Sequence, residues 1–311
     1  MFCNVIRMNN RVMGYYCRLL CVVLLGSLIG TTCRAQQEGG VVYRDYTRRE
    51  AVLLDSLKRG NVMSLFKGIN ELKKQVLEVK ESAPVNVKLR REERRKLLPE
   101  EIIERRRESV LTVNKYLRAM AGPEMVTDWA TAVVLSEDGI CVTNYHVFGE
   151  LLDAGVKLNP RDSVMFVAAE NGRVYPIMEV LSFNRAADMA FFRIDTRGDV
   201  LVPMPVGRDL PIGSDVHLLS NPEGYPYTYT RGIVSRTVTL NPEDPFANRM
   251  EMTADFAKGS SGGPIMDDRG NMVAMVSCIR AIYYSHQPPY YLQMNVKLTV
   301  PVSAFRRLIE G

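Results

Sequence analysis

The sequence predicts an all-β body of antiparallel sandwich or barrel type, carried behind a basic helical segment. Two changes of texture carry this reading. From Trp129 onward, short apolar runs alternate with turn signals every eight to twelve residues, the pattern of many short strands. Residues 45–120 instead repeat their apolar positions at intervals of three and four. A chain of 311 residues with 46% hydrophobic and 24% charged residues is long enough to bury a sizeable core and is no candidate for wholesale disorder.

The first element is an export signal. Arg7, Arg11 and Arg18 precede the apolar run 19–29, LLCVVLLGSLI, and the small residues Gly30, Thr31 and Thr32 follow it. A basic start, a short apolar stretch and a small-residue exit make a secretory signal. About eleven apolar residues are too few to span a bilayer core of about 30 Å as a helix. Two processing readings stay open. Cleavage after Ala35 is preferred and leaves Gln36 first. The alternative is lipid attachment at Cys33, although Gly30-Thr31-Thr32-Cys33 lacks the leucine usual three residues earlier. Either way the protein is expected to be secreted or periplasmic.

The second element, residues 36–125, reads as helical. Leu65, Ile69, Leu72, Val76 and Val79 form an amphipathic stripe, and Gly60-Asn61 suits a helix end followed by an N-cap. Pro84 breaks the pattern. Pro99 followed by Glu100 and Glu101 suits a new first turn, from which Ile103, Val110 and Leu117 continue a stripe until Gly122-Pro123. The basic excess sits in this part of the chain: residues 129–311 hold 16 Lys and Arg against 20 Asp and Glu, the remainder 24 against 15. Nine Lys and Arg lie between Pro84 and Glu108 with no aromatic residue among them, so the run reads as a solvated helical arm rather than a nucleic-acid surface. Deletion of residues 36–122 is expected to alter activity or assembly while leaving the β body folded.

Residues 126–311 make the third element. Apolar runs at 130–135 and 140–143 flank Ser136-Glu137-Asp138-Gly139, and runs at 163–169 and 174–183 flank Glu170-Asn171-Gly172-Arg173. Residues 249–254 precede a glycine-rich loop, residues 272–277 follow Asp267-Asp268-Arg269-Gly270-Asn271, and 303–309 suit a closing helix. Only Cys141 and Cys278 of the six cysteines lie in this body. That is neither a disulfide framework nor a metal pattern. Two buried reduced thiols are expected, with a Cys141–Cys278 bridge as the alternative.

Three short stretches carry candidate chemistry. In Gly259-Ser260-Ser261-Gly262-Gly263-Pro264 the glycines let the backbone bend so that the amides of Gly259 and Ser261 converge on an oxyanion beside the Ser261 nucleophile. A phosphate-cradling loop would open a helix, whereas Pro264, Ile265 and Met266 lead to a turn and a strand. Cys141-Val142-Thr143-Asn144-Tyr145-His146-Val147 sets His146, one of three histidines, at a strand end. His217 and His286 read as structural or surface residues. Ala186-Ala187-Asp188-Met189 sets a carboxylate at the entry to an apolar strand, where only a partner makes it tolerable. Asp195, Asp199 and Asp215 compete less well. His146, Asp188 and Ser261 follow one another at separations of 42 and 73 residues. In one triad architecture the order is His, Asp, Ser, the first two from one barrel and the serine from a second.

With these residues in view, a family resemblance becomes plain. Thr143-Asn144-Tyr145-His146-Val147 resembles the TNxHV motif of HtrA-like, trypsin-fold serine proteases, and Ala187-Asp188-Met189-Ala190 resembles their xDLA motif. Gly213-Ser214-Asp215-Val216, Ser220-Asn221-Pro222-Glu223-Gly224 and Arg231-Gly232-Ile233-Val234-Ser235 resemble the GDxV, GNPxG and xGIVS stretches of the second barrel, and Gly259 to Pro264 resembles GNSGGP. The resemblance covers roughly residues 129–309. It implies two antiparallel six-stranded β-barrels of chymotrypsin-like form and a serine endopeptidase acting on protein or peptide substrates, with His146, Asp188 and Ser261 as the triad and no metal or cofactor.

The chain also departs from the family. No PDZ-like module is expected after the barrel, Ser260 replaces the Asn before the nucleophile, and no Ile-Val-Gly-Gly-like start supports activation by a new N-terminus. Asp255, six residues before Ser261, stands where enzymes cutting after Lys or Arg place a pocket-floor acid, while HtrA-like enzymes usually have a small residue there. Ser277 is expected to begin a segment that pairs with substrate backbone. Two other readings compete. One is an α/β-hydrolase or serine esterase, disfavoured because too few residues follow Ser261 for its βα units. The other is a catalytically silent protease-shaped binding module.

Overall fold

The computed structural model describes residues 35–38 and 40–310; the expected export signal and Cys33 lie outside the described residues. Two units are distinguished, divided after Asp45. In the first, strands β1 (Ala35–Glu38) and β2 (Val41–Arg44) pair as an antiparallel hairpin, where a helical segment was expected.

The second unit begins with helix α1 (Arg49–Lys58), a 3-10 turn at Arg59–Leu65 and helix α2 (Ile69–Leu77). Of the expected stripe, Ile69, Leu72 and Val76 are buried, whereas Leu65 lies exposed before the helix begins. The Gln75 side-chain amide donates to Val180 O at 3.0 Å and accepts from Val180 N–H at 3.0 Å, docking α2 on a strand. Short strand β3 (Val85–Asn86) and helix α3 (Pro99–Arg106) follow.

Two closed six-stranded barrels make the body. The first runs β4 (Val110–Leu117), β5 (Met125–Val134), β6 (Ile140–Thr143), β9 (Met189–Ile194), β8 (Val174–Asn184) and β7 (Asp162–Ala168), which returns to β4. The second runs β10 (Asp215–Ser220), β11 (Thr228–Thr239), β12 (Asn248–Met252), β15 (Leu292–Pro301), β14 (Met272–Tyr283) and β13 (Pro264–Met266), which returns to β10. Short helices α4 (Gly149–Leu152) and α5 (Val302–Arg306) flank them, and β16 (Ile309–Glu310) pairs in parallel with β3.

The alternation of strand side chains assigns the cores. Cys141 and Phe192 point into the first barrel, while their neighbours Val142 and Phe191 join the seam between barrels, with Met204, Met275 and Phe305. The second barrel encloses Val216, Leu218, Met250, Ile265 and Val276. Truncating a fully buried seam residue such as Phe191 to Ala typically costs about 3–5 kcal/mol.

Strand β4 corrects the expected domain boundary at 125/126. The first barrel starts at Val110, and 125/126 falls inside the β4–β5 hairpin. Residues 36–122 therefore cannot be removed without opening the barrel, because β4 pairs with both β5 and β7. The basic run is no free arm either. Arg106 is 2% exposed and donates through Nε to Gly270 O at 2.8 Å, and Leu97 N–H donates to Asp268 O at 2.8 Å. Asn271 exchanges hydrogen bonds with the Glu93 backbone at 2.7 and 3.0 Å. The segment thus straps the second barrel.

Candidate active site

The three candidate residues come from separate turns that meet at the seam. His146 lies on the 3-10 turn Tyr145–Phe148 after β6, held from below by Trp129, whose Nε1 donates to Val147 O at 3.1 Å. Lys73 of α2 donates to the carbonyls of Glu150, Asp153 and Val156 at 2.9, 2.7 and 2.6 Å, capping α4 directly after this turn. Asp188 ends the turn between β8 and β9 with φ 53°, a left-handed conformation that Asp tolerates better than most residues. Asn144 Nδ2 donates to Asp188 O at 2.8 Å, and Ala187 N–H donates to Asn184 Oδ1 at 2.6 Å.

The side chains form one line. His146 Nδ1 lies 2.9 and 3.1 Å from the two Asp188 carboxylate oxygens, and His146 Nε2 lies 2.9 Å from Ser261 Oγ. The His146 backbone N–H also donates to Asp188 Oδ1 at 3.2 Å, so the carboxylate fixes both the ring and its peptide. Such an arrangement can hold the ring with Nδ1–H toward the carboxylate and Nε2 free to accept from the hydroxyl.

Ser277, expected as the start of a substrate-pairing segment, donates through Oγ to Asp188 Oδ2 at 2.6 Å. It sits at a bulge between Val276 and Cys278. Strand β13 pairs with β14 only as far as Met275, so among the described residues the edge of β14 facing away from β15 has no strand partner from Ser277 onward. Asp255 corrects a second expectation. Its side chain is 82% exposed and already paired with Lys297 Nζ, so it is no buried pocket-floor acid. Both cysteines are free, in keeping with the expected reduced thiols; Cys141 is buried as expected, whereas Cys278 is exposed. Burial pushes the Cys141 thiol pKa up. His217 is buried against Tyr229 and Asp268, and His286 is exposed. Among the described residues no group of three or more His, Cys, Asp or Glu is arranged to hold a metal.

The loop around Ser261 is set by backbone contacts. Gly259 has φ 91°, and a Cβ there would lie 2.5 Å from Asn221 O. Its carbonyl accepts from Thr131 Oγ1 at 2.9 Å. The carbonyl before it, Lys258 O, accepts from Glu223 N–H at 2.8 Å. In a trans peptide the N–H points opposite to the C=O, so this bond turns the Gly259 N–H away from the Glu223 loop. Among the described residues neither the Gly259 nor the Ser261 amide has a protein acceptor. Ser260, in place of the family's Asn, is fully buried and accepts from Ser220 Oγ at 3.0 Å.

Two residues that no sequence motif marks, Thr131 and Arg249, also hold the site. Thr131 N–H donates to Ser261 O at 2.8 Å. Arg249 of β12 donates to Ala186 O, two residues before Asp188. Burial lowers the Arg249 guanidinium pKa, and the nearby Asp188 carboxylate opposes that shift.

Comparison with known proteins bears on the barrel region. The trypsin-like peptidase domain family matches residues 130–275. "Protease Do-like 1, chloroplastic" of Arabidopsis thaliana is 30% identical over 183 residues, which is 57% of this chain and 37% of that protein. "Protease Do-like 5, chloroplastic" of the same plant is 31% identical over 142 residues, 44% of each chain. A "Probable periplasmic serine endoprotease DegP-like" of Pseudomonas putida is 24% identical over 47% of this chain and 28% of its own. The chain thus spans less than half the length of these curated relatives. Among solved structures, "HtrA-type protease AlgW with decapeptide" superposes with a TM-score of 0.52 at 20% identity, over 67% of this chain and 65% of that one, a likeness of fold. With its two closed barrels and these likenesses, the chain is similar over residues 130–275 to the trypsin-like peptidase domain and resembles the HtrA-like serine proteases in fold.

Proposed function

We propose that this protein is an exported serine endopeptidase that cleaves peptide bonds through an acyl-enzyme. The observation that carries the reading is the unbroken hydrogen-bonded line from Ser261 Oγ through His146 to Asp188, with 2.9 Å at each of its two junctions. A serine hydroxyl is a weak nucleophile until a base takes its proton. His146 Nε2 takes that proton as Ser261 Oγ attacks the scissile carbonyl, and Asp188 orients the ring and stabilises the imidazolium. The Gly259 and Ser261 amides receive the oxyanion. His146 then protonates the leaving amine, the acyl-enzyme forms on Ser261, and water attacks it by the same route. No metal or cofactor enters these steps.

The substrate is a protein or peptide whose backbone adds to the open edge of β14 beside Ser277. The decapeptide accompanying the HtrA-type protease AlgW supports this class of substrate. A preference for Lys or Arg before the scissile bond finds no support at Asp255, since Lys297 already neutralises it. Export rests on the basic, apolar and small-residue signal of residues 1–35, and the DegP-like relative's description as periplasmic supports it. The test is hydrolysis of a quenched fluorogenic peptide library by the mature protein, with Ser261→Ala and His146→Ala alongside. Cleavage lost in both variants is expected. Equal cleavage by Ser261→Ala and wild type refutes the assignment.

A further inference from the structure

We propose that Tyr227 is a positioning residue for the oxyanion amides, and that the segment preceding the first barrel grips it for that purpose. This rests on the catalytic reading of Ser261.

The direction of the Gly259 N–H depends on Lys258 O staying bonded to Glu223 N–H at 2.8 Å. Glu223 belongs to the loop between β10 and β11. One end of that loop, Asn221, is fixed on the first barrel: its N–H donates to Thr131 Oγ1 at 3.1 Å, and its Nδ2 lies 3.2 Å from Thr131 Oγ1 and 3.4 Å from Leu111 O. The other end is Tyr227, whose N–H donates to Asn221 Oδ1 at 2.9 Å and closes the loop on itself. Tyr227 is buried and has φ 58°, unfavourable for a bulky residue and sustained only where the surroundings hold it.

What holds it comes largely from the chain before the barrel. The Tyr46 ring stacks on the Tyr227 ring at 6.3 Å with 18° between planes. Arg49 Cζ of α1 lies 5.6 Å from the Tyr227 centroid, and Arg107 Cζ, just after α3, lies 5.2 Å from it. These three are anchored in turn. Arg107 pairs with Glu170 on the turn between β7 and β8, Tyr46 Oη donates to the same carboxylate, and Arg49 donates to Thr112 Oγ1 at 2.8 Å. Tyr227 Oη reaches Val110 O at 3.3 Å. A continuous set of contacts therefore runs from α1 and Arg107 through Tyr227 and Asn221 to the Lys258–Gly259 peptide. If the grip is released, the left-handed Tyr227 relaxes, the Glu223 N–H leaves Lys258 O, and the Gly259 peptide is free to rotate. The His146–Asp188 pair lies on other elements and is untouched.

The experiment measures kcat and KM on a quenched peptide, the rate of labelling by a fluorophosphonate, and thermal unfolding, for wild type, Tyr227→Phe, Tyr227→Ala, Tyr46→Ala and Arg107→Gln. Loss of a whole oxyanion donor lowers kcat by about 10²–10³, and a loosened one should cost less. Tyr227→Ala is expected to lower kcat and the labelling rate about 10–100-fold with KM within about threefold, and Tyr46→Ala and Arg107→Gln about 3–10-fold. Tyr227→Phe, which keeps the ring, should stay within about threefold of wild type. The acid limb of kcat/KM should not move in any of them. If Tyr227→Ala is unfolded at the assay temperature, Tyr46→Ala and Arg107→Gln decide, since both leave Tyr227 in place. Folded variants that keep kcat, or that raise KM with kcat intact, or that shift the acid limb, overturn the proposal. Equal losses in Tyr227→Phe and Tyr227→Ala overturn it too, because the ring would not be what matters. Wild type labelled normally while the variants match it refutes the grip alone; folded wild type that takes no label removes the catalytic reading and the grip with it.

Discussion

Replacing Gly262 by Ala tests how tightly the nucleophile loop is held against the first barrel. Gly262 has φ 87°, and a Cβ built there would lie 2.0 Å from Thr131 O and 2.4 Å from Thr143 Oγ1, against ordinary contact at 3.4–4 Å. Neither neighbour can step aside easily. Thr131 O is strand backbone, and Thr143 Oγ1 donates to it at 2.7 Å. A left-handed backbone costs a side chain about 1–2 kcal/mol, and overpacking a close-packed site about 1–3 kcal/mol more. The sum, about 2–5 kcal/mol, corresponds to a melting point lower by about 4–20 °C for a body of this size. Relief requires the loop to retreat by roughly an ångström. Since Ser261 precedes Gly262, kcat/KM should fall by about 10². Chemical denaturation and peptide hydrolysis measure the two effects separately. Gly149→Ala is the control: nothing lies within 4 Å of its Cβ, and it should leave both measurements near wild type. A Gly262→Ala protein within about 0.5 kcal/mol and threefold of wild type would show that the loop does not rest on Thr131, and the expected losses would lose their basis.

Three other outcomes follow from the same contacts. Ser277→Ala removes the 2.6 Å donor to Asp188, a hydrogen bond to a charged group worth about 1.5–3 kcal/mol, so kcat/KM should drop about 10–100-fold with the fold intact; an unchanged rate would show that the two bonds from His146 suffice. Asp255→Ala should change the ratio of cleavage after Arg to cleavage after Val by less than about threefold, because the carboxylate is exposed and occupied by Lys297; a large loss confined to Arg substrates would restore the pocket-floor role. A thiol reagent should modify Cys278 in the native protein and Cys141 only after unfolding, and mass spectrometry should find no disulfide between them.

The β-barrels and the line of His146, Asp188 and Ser261 were legible because local sequence governs them. Strand ends, tight turns and glycine-rich loops leave short motifs, and the motifs fall in the chain order of a two-barrel protease. Strand β4 was not legible. Val110 to Lys115 are all buried, so the run has no period-two alternation to mark it as a strand, and the spacing of Ile103, Val110 and Leu117 imitated a helical stripe. The hydrogen bond of Ser277 to Asp188 spans 89 residues and that of Thr131 to Gly259 spans 128, and nothing local announces either. Asp255 misled for the converse reason: its distance from Ser261 along the chain said nothing about Lys297, which arrives from β15. The basic run was legible as charge but not as packing, since burial of Arg106 against Gly270 O depends on a turn 164 residues away.

Whether Ser261 is an activated nucleophile with His146 as its base can be read from a single chemical reaction. The mature protein is treated with a fluorophosphonate, and the adduct is mapped by peptide mass spectrometry. A single adduct on Ser261 is expected, absent from Ser261→Ala and His146→Ala. A folded protein that takes no label, or that is labelled equally well without His146, would contradict the assignment.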